Sequence, residues 1–222
     1  MIDSQEAIEN IFKQLVIPHG KRLDSVSVAE GKFIHNWVKN HHLSATLEIG
    51  LAFGASAASM LAAHQGIHVC MDPYQEKNYL NVGLENLDRL GYSERVRFHQ
   101  DLSCNVLPRL YYEKAQFDFI FIDGDHRFDS IFVDFYYSDL LLANNGYILF
   151  HDSWMRGTQL VASFIRHNRN NYKQIPRAGL NLILFQKSGE NKSSWDSFQE
   201  FYTLRGILTH VLLRPIVRLF NR

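Results

Sequence analysis

Thr46-Leu-Glu-Ile-Gly-Leu-Ala-Phe-Gly-Ala-Ser56 decides the fold of this chain. A short apolar run of strand character enters a turn bracketed by Gly50 and Gly54, and small residues with helical spacing follow at once. Glycine lets a backbone turn tightly and approach a ligand, and the next helix offers free amides close by. That is the outline of a nucleotide cradle. A glycine pair alone is equally a plain turn, so its meaning depends on the flanking sequence.

Outward from this stretch, short apolar runs alternate with amphipathic segments from Thr46 to Phe185, the pattern of βαβ units around a mostly parallel sheet. Strands are expected at 46–49, 67–71, 96–99, 117–122, 147–150 and 180–185, with helices at 55–63, 79–90, 131–142 and 159–167. Phe119-Ile-Phe-Ile122 is apolar throughout, which suits a strand covered on both faces. Residues 1–45 read as two helices, the second from Val28 to Asn40 with Phe33, Ile34, Trp37 and Val38 on one side. The fold class is therefore α/β, a doubly wound sheet. Its parts are an N-terminal helical extension (1–45), a core (46–187) and a tail (188–222), within one domain overall.

In open α/β sheets, ligands bind beyond the carboxyl ends of the strands. The second strand ends at Asp72, 22 residues after Gly50, where a carboxylate commonly holds a ribose diol and, in isolation, more often caps a helix. The third leads to Asp101, placed either to meet an adenine amino group or to cap the helix starting near Ser103. The fourth delivers Asp123, Asp125 and His126, and the fifth His151 and Asp152. Burying such facing clusters is costly without a purpose. The bland alternative is that both histidines only hydrogen-bond neighbouring loops.

With these residues in view, the chain resembles the class I S-adenosylmethionine-dependent methyltransferases. Glu48-Ile-Gly-x-x-x-Gly54 is similar to that family's first motif, with Ala52 where a middle glycine is usual. Ile122-Asp-Gly-Asp-His126, then Asp134 and Asn145-Gly-Tyr-Ile-Leu-Phe-His-Asp152, is similar to a branch of small-molecule O-methyltransferases, some of them metal-dependent. The resemblance implies a seven-stranded Rossmann-like sheet with S-adenosylmethionine as cofactor. It places Glu48, Gly50 and Gly54 at the methionine end, Asp72 on the ribose hydroxyls and Asp101 near adenine, with Asp123 also beside the cofactor. The acceptor would be a hydroxyl of a small molecule or glycan.

A sulfonium methyl is already electrophilic, so such an enzyme must align the acceptor oxygen and remove its proton. His126, on the same turn as Asp123, is the expected general base, since imidazole titrates at about 6.5. Asp123 and Asp152 are expected to bind a divalent metal through oxygen. Related sites usually supply another oxygen beside the second aspartate, whereas here His151 precedes it and Ser153 follows. His151 is read as the substitute ligand, pointing from magnesium towards manganese, or else as a substrate-positioning group. Trp154 and Arg156 are candidates for the acceptor pocket, although a tryptophan there also fits a core plug. Asp125 and Asp134 read as loop braces.

Lysine plus arginine (23) equal aspartate plus glutamate (23), so the positive field expected of a nucleic-acid binder is missing. Cys70 and Cys104 lack metal-like spacing and are expected to be buried thiols. No secretory signal or membrane-length apolar run is apparent, so a cytoplasmic location is expected. From Trp195 to Arg222 a basic amphipathic stretch interrupted by Pro215 suits a membrane surface, a partner, its own core or the second subunit of a homodimer. Two other functions compete. A nicotinamide-dependent oxidoreductase would use the same sheet, but Gly50, Ala52 and Ala55 fit Gly-x-Gly-x-x-Gly poorly. A non-catalytic S-adenosylmethionine-binding module would have no need of the Asp and His clusters.

Overall fold

The computed structural model describes residues 4–18, 25–176 and 180–201. Helices α1 (Ser4–Gln14) and α2 (Val28–Asn40) lead into β1 (Thr46–Ile49) and α3 (Ala55–Leu61). Then come β2 (His68–Met71), α4 (Gln75–Tyr79), α5 (Val82–Arg89), β3 (Val96–His99) and α6 (Ser103–Tyr112). The chain continues through β4 (Phe117–Ile122), α7 (Phe128–Leu141), β5 (Leu142–His151), α8 (Arg156–Asn168), β6 (Tyr172–Ile175) and β7 (Leu182–Lys187).

The strands form one seven-stranded sheet in the order β3-β2-β1-β4-β5-β7-β6, parallel except for β7, which is antiparallel to β5 and β6. This is the expected doubly wound architecture. Side chains alternate across β4: Ile120 and Ile122 face Val106 and Leu107 of α6, Phe135 of α7 and Ile165 of α8, whereas Phe119 and Phe121 join Ile34 and Val38 of α2 and Met60 of α3. Every one of these is buried. At about 2 kcal/mol for each large side chain removed from water, burial on both faces holds the strand ends rigidly.

The N-terminal helices are tied to this core. Ser27 and Glu30 form a reciprocal capping box at the start of α2, satisfying amides that the helix leaves unpaired. Asn86 of α5 donates to the carbonyls of Val16 and Phe53, pinning the N-terminal segment beside the glycine-bracketed loop.

Several expectations need correction. The helix expected at 79–90 is two helices, because Leu80 and Asn81 adopt left-handed conformations, φ 52° and 60°, between α4 and α5. The last strand lies at 182–187, and β6 went unread because its side chains are only partly buried or exposed. β5 starts at Leu142, where the expected helix ends, and runs to His151. Cys70 is buried, but Cys104, in the first turn of α6, is exposed. The segment expected to form the amphipathic tail lies outside the described residues beyond 201. Among the described residues, no helix is long and apolar enough to cross a membrane.

Candidate active site

Backbone hydrogen bonds continue past the strand ends and set the site loops side by side. Gly50 N–H donates to Met71 O (2.9 Å), Asp123 N–H to Ile49 O (2.9 Å), and Asp72 N–H to His99 O (3.1 Å). Gly50 has φ 93°, and an ideal Cβ there would lie 2.2 Å from the carbonyl oxygen of Asp123, so only glycine lets the β1 and β4 ends meet. Ala52 occupies the left-handed region at φ 44°, taking the turn expected of a glycine at the modest cost such a conformation carries for alanine.

These ends open onto a cleft of about 470 Å³, lined by Gly50, Ala52, Asp72, Tyr79, Ser103, Asp123 and His126 among others. The volume suits a cofactor-sized molecule. Asp72 is buried and its carboxylate is aimed by three donors: Tyr74 N–H (2.8 Å), Ala52 N–H (3.0 Å) and Gln75 Nε2 (3.1 Å).

Other expected cofactor residues do not line the cleft. Glu48 is fully buried behind its wall, where the Ser56 hydroxyl donates to Oε1 and His68 Nε2 lies 3.2 Å from Oε2. Burial pushes the Glu48 carboxyl well up and takes His68 down to about 3, so this contact is a neutral hydrogen bond rather than an ion pair. The neighbouring bonds fix the tautomers. Gly66 N–H donates to His64 Nδ1 (3.0 Å), leaving Nε2–H of His64 for Thr46 Oγ1 (3.1 Å). The Thr46 hydroxyl then donates to His68 Nδ1 (2.9 Å), leaving His68 Nε2–H for Glu48. Gly54 serves packing, with its open face against Gly83 O of α5. Asp101 is partly buried and turned to Asn105 and Arg109 of α6, while Leu102 and Ser103 form the cleft wall there.

At the reaction end, ligand atoms of Asp123, His126 and Asp152 all lie within 4.8 Å of one another. His126 Nε2 is 3.2 Å from Asp152 Oδ2. His151, the last residue of β5, places Nδ1 3.1 Å from Asp123 Oδ1 and 3.7 Å from Asp152 Oδ2. Its Nε2 points at Glu30 Oε1 of α2, 3.5 Å away and at the margin of a hydrogen bond. Burial alone disfavours the charged imidazole of His151, but bonds to Asp123 and Glu30 and the charges of Asp123 and Asp152 outweigh it and hold the group up to about 10. Glu30 is correspondingly lowered to about 2, since bonds from His151 and Ser27 overcome its desolvation. Burial raises Asp123, against the pull of the His151 bond and charge.

Two residues of this centre were absent from the sequence reading. Glu30 is one. The other is Asn181, whose Nδ2 donates to Asp152 Oδ1 (2.8 Å) and whose Oδ1 accepts from Ser153 Oγ (3.1 Å). Trp154 Nε1 donates to the same Asp152 oxygen (3.0 Å), so Oδ1 is saturated and Oδ2 is left to face the histidines. Asp152 itself sits at φ 49°, a left-handed conformation that the surrounding bonds hold in place. Trp154 is no core plug: it is 66% exposed. Asp125 braces its loop through Arg127 and Ser130. Asp134 is buried in α7, where desolvation raises it to about 6.

Residues 47–153 match a family profile described as a methyltransferase domain. On this match the chain is similar to S-adenosylmethionine-dependent methyltransferases. Caffeoyl-CoA O-methyltransferase 5 of Nicotiana tabacum is 24% identical over 179 residues, covering 75% of this chain and 72% of that protein. Caffeoyl-CoA O-methyltransferase 1 of Zea mays is 29% identical over 119 residues, covering 51% and 45%. A match to an Arabidopsis thaliana relative likewise spans only 63% of that protein's length. Among solved structures, the O-methyltransferase of Bacillus cereus in complex with SAH superposes with a TM-score of 0.65 at 19% identity, covering 85% of this chain and 92% of the other. TomG of Streptomyces achromogenes, in complex with SAM, gives 0.67 at 17%, covering 85% and 91%. At these identities, the structural likeness bears on the methyltransferase fold alone.

Proposed function

We propose that this chain transfers the methyl group of S-adenosylmethionine to a hydroxyl of a small molecule or glycan. One observation carries the reading: a single cleft runs from Asp72, aimed as a ribose-holding carboxylate, to Asp123 and His126 at the reaction end. The match to a methyltransferase-domain profile and the cofactors named in the two solved complexes agree with it.

In this reading the methionine part passes Gly50, where the backbone approaches most closely, and Asp72 accepts hydrogen bonds from the ribose diol. With Nε2 of His126 3.2 Å from Asp152 Oδ2, the tautomer that keeps its proton on Nε2 leaves Nδ1 to take the acceptor proton. The acceptor oxygen forms its bond to the methyl carbon as the sulfur–methyl bond breaks. S-adenosylhomocysteine leaves, and the proton stays on His126, whose imidazolium is stabilised by Asp152. The exposed face of Trp154, tethered to Asp152, suits an acceptor that carries a ring.

The same groups fit a divalent cation. Neighbouring ligand atoms on such an ion stand about 3 Å apart when its bonds are about 2.1 Å, and Asp123, Asp152 and His151 offer spacings of 3.1 and 3.7 Å. A cation held there by Asp123, Asp152 and His151 would supply positive charge favouring the acceptor's alkoxide.

Incubating a cell extract with the protein and methyl-labelled S-adenosylmethionine, then searching by mass spectrometry for a labelled product, tests the proposal. A product labelled on oxygen and lost in His126→Ala is expected. Transfer to nitrogen or carbon, or none from any extract, would overturn it.

A further inference from the structure

We infer that the reaction centre takes a nitrogen-accepting first-row divalent ion such as manganese, not magnesium, through His151 Nδ1, and that Glu30 positions that ligand. The inference rests on the methyltransferase reading only for the role of the ion, since its argument is the donor set itself.

Three features converge on His151. First, its Nδ1 stands 3.1 Å from Asp123 Oδ1 and 3.7 Å from Asp152 Oδ2, so one imidazole nitrogen lies beside oxygens of both carboxylates. Second, the opposite ring nitrogen, Nε2, is buried, with a carboxylate oxygen of Glu30 3.5 Å away, beyond ordinary hydrogen-bond reach. A metal-binding histidine characteristically donates its second ring N–H to a carboxylate, which fixes the tautomer and turns the other lone pair to the ion. Third, Glu30 is itself fixed: Ser27 N–H and the Ser27 hydroxyl donate to its Oε2 at 2.7 and 2.8 Å, leaving Oε1 for His151. A capping box at the start of α2 thereby holds a carboxylate against a histidine 121 positions later in the chain.

The chemistry of the donors then selects the ion. Magnesium is hard and demands oxygen in near-octahedral order, whereas imidazole nitrogen suits manganese and the ions after it in the first row. Asn181 and Trp154 occupy Asp152 Oδ1, so the carboxylate presents one oxygen, not a bidentate pair.

The test uses the full chain, stripped with a chelator and titrated calorimetrically with manganese chloride or magnesium chloride, with no cofactor or acceptor present. Manganese is expected to bind about tenfold or more tighter than magnesium. Pulsed electron paramagnetic resonance of the manganese-loaded protein is expected to show coupling to one imidazole nitrogen. His151→Ala should abolish that coupling and most of the preference, and Glu30→Gln should weaken manganese binding by about 10- to 100-fold. His126→Ala should leave the nitrogen coupling in place, and circular dichroism checks that each variant folds. Equal affinity for the two ions, no binding of either, no nitrogen coupling, or coupling lost in His126→Ala but kept in His151→Ala would each overturn the inference. S-adenosylmethionine titrated into the stripped protein separates the two readings: cofactor binding and methyl transfer with no metal preference would remove the ion and leave the transferase standing.

Discussion

His126 Nε2 lies 3.2 Å from Asp152 Oδ2, joining the turn after β4 to the end of β5 across the mouth of the cleft. The pair sets an imidazole beside a carboxylate, with Asn181 and Trp154 holding the other oxygen of Asp152 in place. His126→Ala is therefore expected to lower kcat by about 100- to 10,000-fold while leaving S-adenosylmethionine affinity unchanged. Steady-state kinetics with calorimetry on the same preparation checks this; wild-type turnover in the variant would remove His126 from the chemistry.

Asp72 separates binding from catalysis. Its carboxylate is already aimed by Tyr74, Ala52 and Gln75, and a ribose diol would add charge-assisted bonds worth about 1.5–3 kcal/mol. Asp72→Asn should weaken S-adenosylmethionine binding by about 10- to 100-fold and leave kcat at saturating cofactor nearly intact. A fall in kcat with unchanged affinity would contradict the assignment.

Gly50→Ala places a methyl group 2.2 Å from the Asp123 carbonyl at φ 93°, where neither backbone can yield without moving the site. A loss on the order of 3 kcal/mol in urea unfolding is expected, with cofactor affinity falling in whatever fraction folds. Wild-type stability in this variant would mean that the β1 and β4 ends do not meet as described.

His68 predicts a dependence of stability on pH. Burial lowers its folded pKa to about 3, so below about 6.5 the unfolded chain binds a proton that the folded chain refuses. Stability from this group is present above the unfolded value and lost as pH falls towards the folded one. The stability difference between wild type and His68→Asn should therefore shift against wild type by about 1.4 kcal/mol for each pH unit below 6.5 down to about 4. Denaturation curves at pH 7, 6 and 5 measure it, and a constant difference would mean that His68 is charged in the fold.

The sequence revealed the sheet and its chemical edge because both are written locally. Apolar runs such as Phe119 to Ile122 lead directly into Asp123, and the glycine-bracketed turn follows β1 without interruption. What stayed hidden depends on distance or on backbone shape. Glu30 and Asn181 reach the centre from segments far along the chain, and no spacing rule links them to His151 or Asp152. Leu80 and Asn81 break a helix through left-handed conformations that neither glycine nor proline announces. Glu48 carries a family motif, yet its position on β1 points it behind the cleft into the Ser56 and His68 network.

The central claim is that the cleft between Asp72 and His126 is built for S-adenosylmethionine, and calorimetric titration of the full chain with that cofactor and with NAD tests it most directly. The account predicts one S-adenosylmethionine bound per chain, weakened in Asp72→Asn, and no measurable heat from NAD. Preferential binding of NAD, or no binding of S-adenosylmethionine by folded protein, would contradict it.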